Sequence, residues 1–316
     1  MDASPAAAIE VDGLEKRFGA LTAVAGLSFA VRPGEIFGLV GPDGAGKTTT
    51  MRMLASVMRP DAGRIVIDGI DVLASPEQAK CHISYMPQRF GLYEDLTVDE
   101  NIRFYADLFD VPAEVWKARA EKLLAAADMT PFRQRLAGQL SGGMKQKLGL
   151  ACSLVHTPKV LLLDEPTTGV DPLSRREFWQ ILYSLRSEGV AMLISTAYLD
   201  EAERCDRIAM LNAGAMMYCE TPAALKAQMP GAMLEIVTAD PRRAHDALRS
   251  LPGVRGVLLV GIGIHVHVDQ AERRTELAAA LAALGIAVKS IDEIAPTIED
   301  LFVALLEQDD AKGQAR

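Results

Sequence analysis

The sequence has no apolar run long enough to form a membrane-spanning helix. Its most apolar stretches, residues 21–31 and 277–288, are shorter than the ~20 residues that a bilayer requires or are interrupted by glycine and polar residues. The first residues also lack the basic segment that opens a secretory signal. These absences argue against an integral membrane protein and a secreted one, and we expect the chain to work in the cytosol.

Cysteine and histidine are scarce. Four cysteines stand alone without paired spacing, and the five histidines are scattered, so neither a disulfide scaffold nor a zinc cluster is expected. His265 and His267 share one face of a predicted strand, but no third ligand is in view. Their spacing therefore favours a structural role over a metal site.

Basic residues are outnumbered, with 33 Lys and Arg against 42 Asp and Glu and a net charge of −9. No strong basic cluster is present, so we do not expect DNA or RNA as a partner. The mean hydropathy of +0.13 is high for a chain without a membrane span. Part of the surface is therefore expected to be buried against a protein partner.

Short aliphatic runs alternate with helical patterns over most of the chain, which predicts an α/β fold with a sheet covered on both faces. The predicted strands are residues 8–11, 27–31, 36–40, 65–67, 83–85, 160–163, 190–194 and 208–211. A helical stretch interrupts them and predicts a helical subdomain at about 89–156. We assign this mixed-sheet core and its subdomain to one domain, 1–229.

The pattern restarts after residue 229. Strands and helices are predicted in the order β-α-β-β-α-β, which is typical of a small ferredoxin-like α+β domain. We place this accessory domain at 230–308. A polar tail is predicted at 309–316.

One glycine-rich run matches the pattern GxxxxGK[ST] in full. An aliphatic strand precedes it and a helix-forming run from Thr49 follows, so backbone N–H groups at a helix start can converge on phosphate oxygens. Lys47 is suited to the β- and γ-phosphates, and the Thr48 hydroxyl to Mg²⁺. The predicted nucleotide-binding residues are Gly41, Pro42, Asp43, Gly44, Ala45, Gly46, Lys47, Thr48 and Thr49.

Two carboxylates follow the aliphatic strand at 160–163. Ligands gather at the carboxyl ends of strands in an α/β sheet, so Asp164 and Glu165 are predicted to face the same nucleotide. Asp164 is suited to hold Mg²⁺ through water. Glu165 is suited to polarise the water that attacks the γ-phosphate.

A second glycine-rich run, Leu140-Ser141-Gly142-Gly143-Met144, opens another helix and predicts a second anion site. Such a site is redundant beside a complete phosphate loop unless it serves a second nucleotide. In this run the sequence resembles the signature of the ATP-binding cassette (ABC) family of P-loop NTPases and departs from it only at Met144.

The resemblance covers roughly residues 9–221 and implies further site residues. Phe18 corresponds to the aromatic residue that stacks on adenine, and Gln88 to the glutamine associated with Mg²⁺ and with the membrane subunit. It also implies that two cassettes face each other head to tail and enclose two MgATP. Ser141, Gly142 and Gly143 then contact the ATP bound by the partner cassette.

Residues 90–101, the C-terminal domain and the run 297–302 resemble the ABC-2 type drug and antibiotic exporters. This implies an ATP-hydrolysing subunit that couples cassette dimerisation to efflux through a separate ABC-2 type permease, with a periplasmic adaptor as a further partner. Such a subunit is peripheral and sits at the cytoplasmic face of the membrane. The accessory domain is expected to stabilise the dimer or to regulate it.

Ala197 occupies a position where the family normally has a histidine that contacts the γ-phosphate. The loop variant Gly41-Pro42-Asp43-Gly44 resembles cassettes that work beside a second, non-identical cassette. Both features favour a heterodimer in which this chain contributes the weaker ATPase site, although a homodimer stays open.

Two other functions remain as alternatives. One is the ATPase subunit of an importer, against which the exporter-like tract and the C-terminal domain argue. The other is a soluble ABC ATPase that acts on ribosomes or DNA, against which the single cassette, the negative charge and the absence of heptads argue.

Overall fold

The structure, a computed structural model, describes residues 6–304. It divides into two compact units: the first holds the residues up to Tyr198 with Cys205–Cys219, and the second holds Leu199–Arg204 with the residues from Glu220 on. The boundary predicted from the sequence lies later in the chain, at 229/230. The predicted tail at 309–316 lies outside the described residues.

Ten strands build the two sheets of the first unit. They are β1 (Ile9–Phe18), β2 (Leu21–Val31), β3 (Ile36–Val40), β4 (Ala62–Ile67), β5 (Ile70–Asp71), β6 (Ile83–Met86), β7 (Val160–Asp164), β8 (Ala191–Thr196), β9 (Arg207–Asn212) and β10 (Ala215–Glu220). The helices of this unit are α1 (Lys47–Leu54), α2 (Pro76–Lys80), α3 (Val98–Leu108), α4 (Ala113–Ala126), α5 (Gly142–Leu154) and α6 (Pro172–Ser187).

The larger sheet has the strand order β10-β9-β3-β8-β7-β6, and its neighbours from β9 to β6 are parallel. Every residue of β3, β7 and β8 is buried, because these central strands are covered on both faces; their near-continuous aliphatic sequences reflect this. The carboxyl ends of β3, β8, β7 and β6 therefore meet at one edge of the sheet.

The smaller sheet is antiparallel, with the order β2-β1-β4-β5. The strands predicted at 8–11 and 27–31 are only the ends of a much longer hairpin. The prediction was too short because glycines such as Gly13 and the charged run around Lys16 interrupt the aliphatic pattern. In the structure, the pairing of β1 with β2 continues past these residues through register shifts. Phe29 of β2 stacks on Phe37 of β3 with ring centroids 5.3 Å apart, which joins the two sheets in one core.

Helices α3, α4 and α5 occupy the predicted helical subdomain. A capping box formed by Thr97 and Glu100 begins α3. The buried Asn101 donates to the carbonyls of Tyr93, Leu96 and Thr97 and so fixes the loop that precedes this helix.

The second unit has the predicted ferredoxin-like order. Its elements are α7 (Leu199–Ala202), α8 (Pro222–Ala227), β11 (Ala232–Thr238), α9 (Pro241–Leu248), β12 (Val254–Val260), β13 (Gly263–Val268), α10 (Arg274–Ala283), β14 (Val288–Ile294) and α11, described over 298–304. The antiparallel sheet runs β12-β13-β11-β14. One buried cluster, drawn from its strands and from α9 and α10, forms its core.

The two buried histidines of β13 make hydrogen bonds within this unit. His265 shares its Nδ1 proton with both oxygens of Asp300 at 3.0 Å, and His267 donates from Nε2 to the carbonyl of Pro230 at 2.6 Å. Both are buried, and no metal-binding cluster of three His, Cys, Asp or Glu occurs in the described part of the chain. The contacts are those of a structural role.

Among residues 6–304, no helix combines the length and the apolar character that a bilayer crossing needs.

Candidate nucleotide-binding site

The phosphate loop connects the buried strand β3 to helix α1. Gly46 is the N-cap of α1 and has a φ of 98°, a left-handed conformation that favours glycine. A Cβ atom on Gly46 would lie 2.4 Å from the carbonyl of Ala23, and one on Gly41 would lie 2.3 Å from that of Leu211. The loop therefore needs glycine at both ends to pack this closely against the backbone of Ala23 and Leu211.

Lys47 is buried at the first position of α1, with 4% of its surface exposed. Its ammonium donates to the carbonyl of Gly41 at 2.7 Å and to that of Pro42 at 3.1 Å. The same ammonium lies 3.5 Å from Oε1 of Glu165. Lys47 thus links the loop to the carboxylate at the end of β7.

Asp164, the last residue of β7, is surrounded by hydroxyl groups. Thr48 donates to its Oδ1 at 3.1 Å, Ser195 donates to the same oxygen at 2.6 Å, and Tyr85 donates to Oδ2 at 3.3 Å. The pKa of Tyr85 is raised to about 12, mainly by burial and to a smaller extent by the charge of Asp164. The phenol therefore remains a donor at neutral pH.

Glu165 leaves the strand in a left-handed backbone conformation, with a φ of 50°. This is uncommon for a residue with a side chain and costs of order 1–3 kcal/mol. Its N–H donates to the hydroxyl of Ser195 at 3.0 Å and to its carbonyl at 3.1 Å. Its Oε2 accepts from Gln88 at 2.8 Å and from Thr168 at 3.4 Å, so the turn aims the carboxylate at Gln88 and the loop.

Lys47, Thr48, Gln88 and Glu165 line a cavity of about 450 Å³. It brings together most of the predicted loop, the predicted aromatic residue Phe18 and the predicted polar residues Gln88 and Glu165. Phe18 stands at the end of β1 and is 48% exposed, and the Lys16 ammonium lies over its ring at 5.7 Å from the centroid. The lining residues are Phe18, Leu21, Ala23, Asp43, Gly44, Ala45, Gly46, Lys47, Thr48, Thr49, Gln88 and Glu165.

The predicted metal ligands also lie together. Thr48 contacts Asp164 directly, and Gln88 reaches Glu165 through its Nε2, which leaves its amide oxygen free of that contact. Hydroxyl, amide and carboxylate oxygens are the donors that Mg²⁺ prefers, and it usually takes one or two carboxylates together with phosphate oxygens. The donor set therefore fits Mg²⁺ with a nucleotide.

Among the described residues, the signature residues Ser141, Gly142 and Gly143 are not part of this cavity's lining. Ser141 is the N-cap of α5, and its hydroxyl accepts from the N–H of Met144 at 3.3 Å. Gly142 is exposed, whereas Gly143 packs against Ser174 of α6. The run thus presents a helix start away from the chain's own phosphate loop.

Ala197 is exposed and directly follows β8. The preceding residue, Thr196, accepts at its carbonyl from the N–H of Gly41 at 3.4 Å, and its hydroxyl accepts from the N–H of Tyr198 at 2.9 Å. The position at which the family resemblance implies a histidine thus adjoins the phosphate loop and carries only a methyl group.

Sequence reasoning missed the hydroxyl groups of Ser195 and Tyr85. Both lie at the carboxyl ends of strands that flank β7. The available signal was the polar residue near the end of each otherwise apolar run, but only the strand order shows that these residues face Asp164.

Comparison with known proteins agrees with this geometry. Residues 24–168 match the family model described as ABC transporter, and residues 221–306 match that of the ATP-binding protein DrrA1-3-like C-terminal domain. The daunorubicin resistance ATP-binding protein DrrA3 of Streptomyces coeruleorubidus is 35% identical over 311 residues, 96% of this chain and 96% of that protein. The chain belongs to the family of ABC transporter ATP-binding proteins.

Other ABC proteins extend the comparison. The probable multidrug ABC transporter ATP-binding protein YbhF of Escherichia coli K12 is 44% identical over 304 residues, which are 95% of this chain and 52% of that protein. The chain therefore spans about half the length of this relative. A solved structure of the ATP binding subunit of an ABC transporter, 30% identical, superposes with a TM-score of 0.64 over 70% of this ABC chain and 92% of its own. The predicted family and fold are confirmed.

Proposed function

We propose that this chain is the ATP-binding and ATP-hydrolysing subunit of an ABC-2 type exporter. The observation that carries the proposal is the meeting of Lys47, Gln88 and Glu165 around one cavity at the carboxyl ends of parallel strands. Relatives named for multidrug transport, daunorubicin resistance and Nod factor export support the direction of transport.

Binding follows from the loop and the hairpin. The N–H groups at the start of α1 and the ammonium of Lys47 neutralise the phosphates, while the exposed ring of Phe18 stacks on the base. Thr48 and Gln88, with Asp164 behind Thr48, would hold Mg²⁺. When bound, the ion neutralises phosphate charge that develops during transfer.

Hydrolysis is assigned to Glu165. Its carboxylate lies beside the ammonium that holds the phosphates, and its strained backbone is tied to β8 by the N–H contacts with Ser195. A carboxylate fixed in this way can take the proton of a water that attacks the γ-phosphate. Gln88 donates to the same carboxylate and orients it.

The second nucleotide contact requires another cassette. Ser141, Gly142 and Gly143 begin α5 outside the lining described above, and the exposed Ser141 and Gly142 leave this helix start open to the ATP of a facing cassette. The methyl group of Ala197 favours a heterodimer with a better-equipped partner. We place the assembled cassettes on an ABC-2 type membrane permease at the cytoplasmic face of the membrane, with a periplasmic adaptor as a further component.

Two variants test the ATPase assignment together. Lys47→Ala removes a charged donor, and hydrogen bonds to charged groups are worth about 1.5–3 kcal/mol, so ATP affinity measured by calorimetry should fall by about 10- to 100-fold. Glu165→Gln should keep ATP binding but slow hydrolysis by about 10²–10⁴-fold, the usual contribution of a general base.

Lys80→Ala is the matched control for the lysine, because Lys80 pairs with Glu77 on the surface at 2.7 Å. It should bind ATP as the unchanged chain does. Undiminished affinity in Lys47→Ala would overturn the binding site, and unchanged turnover in Glu165→Gln would move the base elsewhere.

A further inference from the structure

One serine hydroxyl connects both carboxylate residues at the end of β7. The Oγ of Ser195 donates to Oδ1 of Asp164 at 2.6 Å and accepts from the N–H of Glu165 at 3.0 Å. Ser195 is fully buried and Asp164 is 1% exposed. At this depth water does not replace a lost partner. The Ser195 hydroxyl therefore helps to hold both groups, while the N–H of Glu165 also donates to the Ser195 carbonyl at 3.1 Å.

Three hydroxyl groups donate to the Asp164 carboxylate. Oδ1 receives the hydroxyls of Thr48 and Ser195, and Oδ2 receives that of Tyr85. Asp164 is not among the residues that line the cavity, whereas Thr48 is. Asp164 therefore acts on a cation through Thr48 or a water, and its orientation sets that of the Thr48 hydroxyl.

We propose that Ser195 is a positioning residue of the ATPase site, which fixes the Asp164 carboxylate and the Glu165 backbone with one hydroxyl, and that Tyr85 supports the same carboxylate from the other side. The inference rests on the proposed function. It assigns the end of β8 a role in metal binding and in positioning Glu165. Ala197, two residues further on, has no side-chain donor and does not share this role.

The hydroxyls of Ser195 and Tyr85 should differ in how strongly they position Asp164. The contact from Ser195 is short and buried, and it is the one that also reaches Glu165. The contact from Tyr85 is 3.3 Å long, and Tyr85 is only partly buried. Removal of the serine hydroxyl should therefore affect metal binding more than removal of the phenol, and only the serine variant should also disturb Glu165.

The test compares ATP binding with and without Mg²⁺, which does not depend on turnover. Calorimetry with MgATP and with ATP in EDTA should show that Ser195→Ala weakens MgATP binding by about 10- to 100-fold, the usual effect of losing a contact behind a metal ligand. Its affinity for metal-free ATP should stay within about twofold, because the phosphate loop is unchanged. Tyr85→Phe should show the same pattern with a smaller loss, and Ser195→Thr, which keeps the hydroxyl, should recover most of the MgATP affinity.

Ser153→Ala is the matched control, because Ser153 is also a buried serine whose hydroxyl donates to two carbonyls, those of Gly149 and Leu150, at 3.0 Å. It should leave the ratio of the two affinities unchanged. In turnover assays, Ser195→Ala should raise the Mg²⁺ concentration for half-maximal rate and lower kcat, with the Ser153→Ala rates as reference.

The inference is overturned if Ser195→Ala keeps the unchanged chain's ratio of MgATP to metal-free affinity, or if Ser153→Ala alters that ratio equally. Should Ser195→Ala fail to fold, Tyr85→Phe decides, and an unaltered ratio in that variant overturns the role of the hydroxyls. Failure of the proposed function is a different result, since the unchanged chain would then bind no ATP under either condition.

Discussion

Ala197 is the residue at which the site departs most from a fully equipped ATPase. It stands one position beyond β8, next to the strand that leads into the phosphate loop. Lys47, Gln88 and Glu165 remain in place around the cavity. The chain thus keeps the groups that we propose for ATP binding and for the base, while position 197 has no side-chain donor.

We expect the purified chain alone to hydrolyse ATP slowly and the substitution Ala197→His to accelerate it. Loss of one donor to a developing charge costs about 10²–10³ in rate, so the gain should approach that range while ATP affinity changes little. Steady-state phosphate release by the two proteins measures it.

Ala197→Leu enlarges the same exposed position without adding a donor and should remain slow. Brisk hydrolysis by the unchanged chain as a homodimer, with no gain from the histidine, would contradict the asymmetric arrangement of two unlike cassettes.

The sequence predicted some residues of the candidate site and not others, for a physical reason. Lys47 and Thr48 follow from a continuous pattern in which strand, loop and helix succeed each other along the chain, and Glu165 follows from the end of an aliphatic run. Ser195 and Tyr85 contact Asp164 only because β8 and β6 are the neighbours of β7. Strand order is a non-local property, and no spacing in the sequence encodes it.

At the scale of elements, the position of the start of α5 depends on Gly143, which has no side chain. A Cβ on Gly143 would lie 2.4 Å from Oγ and 2.5 Å from Cβ of Ser174. Ser174 cannot easily move, because its N–H is bound by Asp171, the N-cap of α6. The two helices can therefore approach this closely only with glycine at 143.

Gly143→Ala should destabilise the protein by about 1–3 kcal/mol, the usual cost of overpacking, in a denaturant titration. Ser174→Gly removes both opposing atoms and should restore part of the loss in the double variant, which a double-mutant cycle detects as coupling.

Gly142→Ala is the control, because its Cβ would meet only the carbonyl of Gly169 at 3.8 Å. That variant should be neutral or slightly stabilising, since alanine favours helix more than glycine. Equal losses from the two alanine variants would show that contact with Ser174 is not the cause.

Element prediction succeeded where the periodicity was uninterrupted. The fully buried strands β3, β7 and β8 were located closely, because aliphatic runs in a covered parallel sheet have no polar face. The hairpin of β1 and β2 was predicted too short, since it has an exposed face and several register shifts. Its pairing depends on contacts across the sheet that the local pattern does not reveal.

At the scale of the whole molecule, the second unit has its own hydrophobic core. The buried cluster extends from Leu234 to Ile291 and contains no residue of the segment 199–204. Within that segment, Glu203 accepts from the N–H of Ile298 at 3.0 Å and pairs with Lys226 at 2.7 Å.

We expect the fragment 220–316 to fold by itself, with a stability on the order of 5 kcal/mol that is typical of a small domain. Circular dichroism should show mixed helix and strand and a cooperative unfolding transition. The double change Leu277→Ala and Leu281→Ala removes two fully packed core residues and should abolish that transition.

Restoring residues 199–204 in an otherwise equal fragment should increase its stability, because this segment contains the buried Ala202. The partly exposed pair of Glu203 with Lys226 should account for only a small part of the gain. An unfolded fragment with intact sequence would show that the cluster needs the remainder of the chain.

Both oxygens of Glu165 are occupied in the structure, Oε1 by the ammonium of Lys47 at 3.5 Å and Oε2 chiefly by Gln88 at 2.8 Å. Phosphate groups that draw the ammonium toward themselves take one of these partners from the carboxylate. In the proposed reaction, the arrival of the substrate and the release of the base are then a single event. In that reaction, the movement of Lys47 alone would make ATP binding precede the release of Glu165.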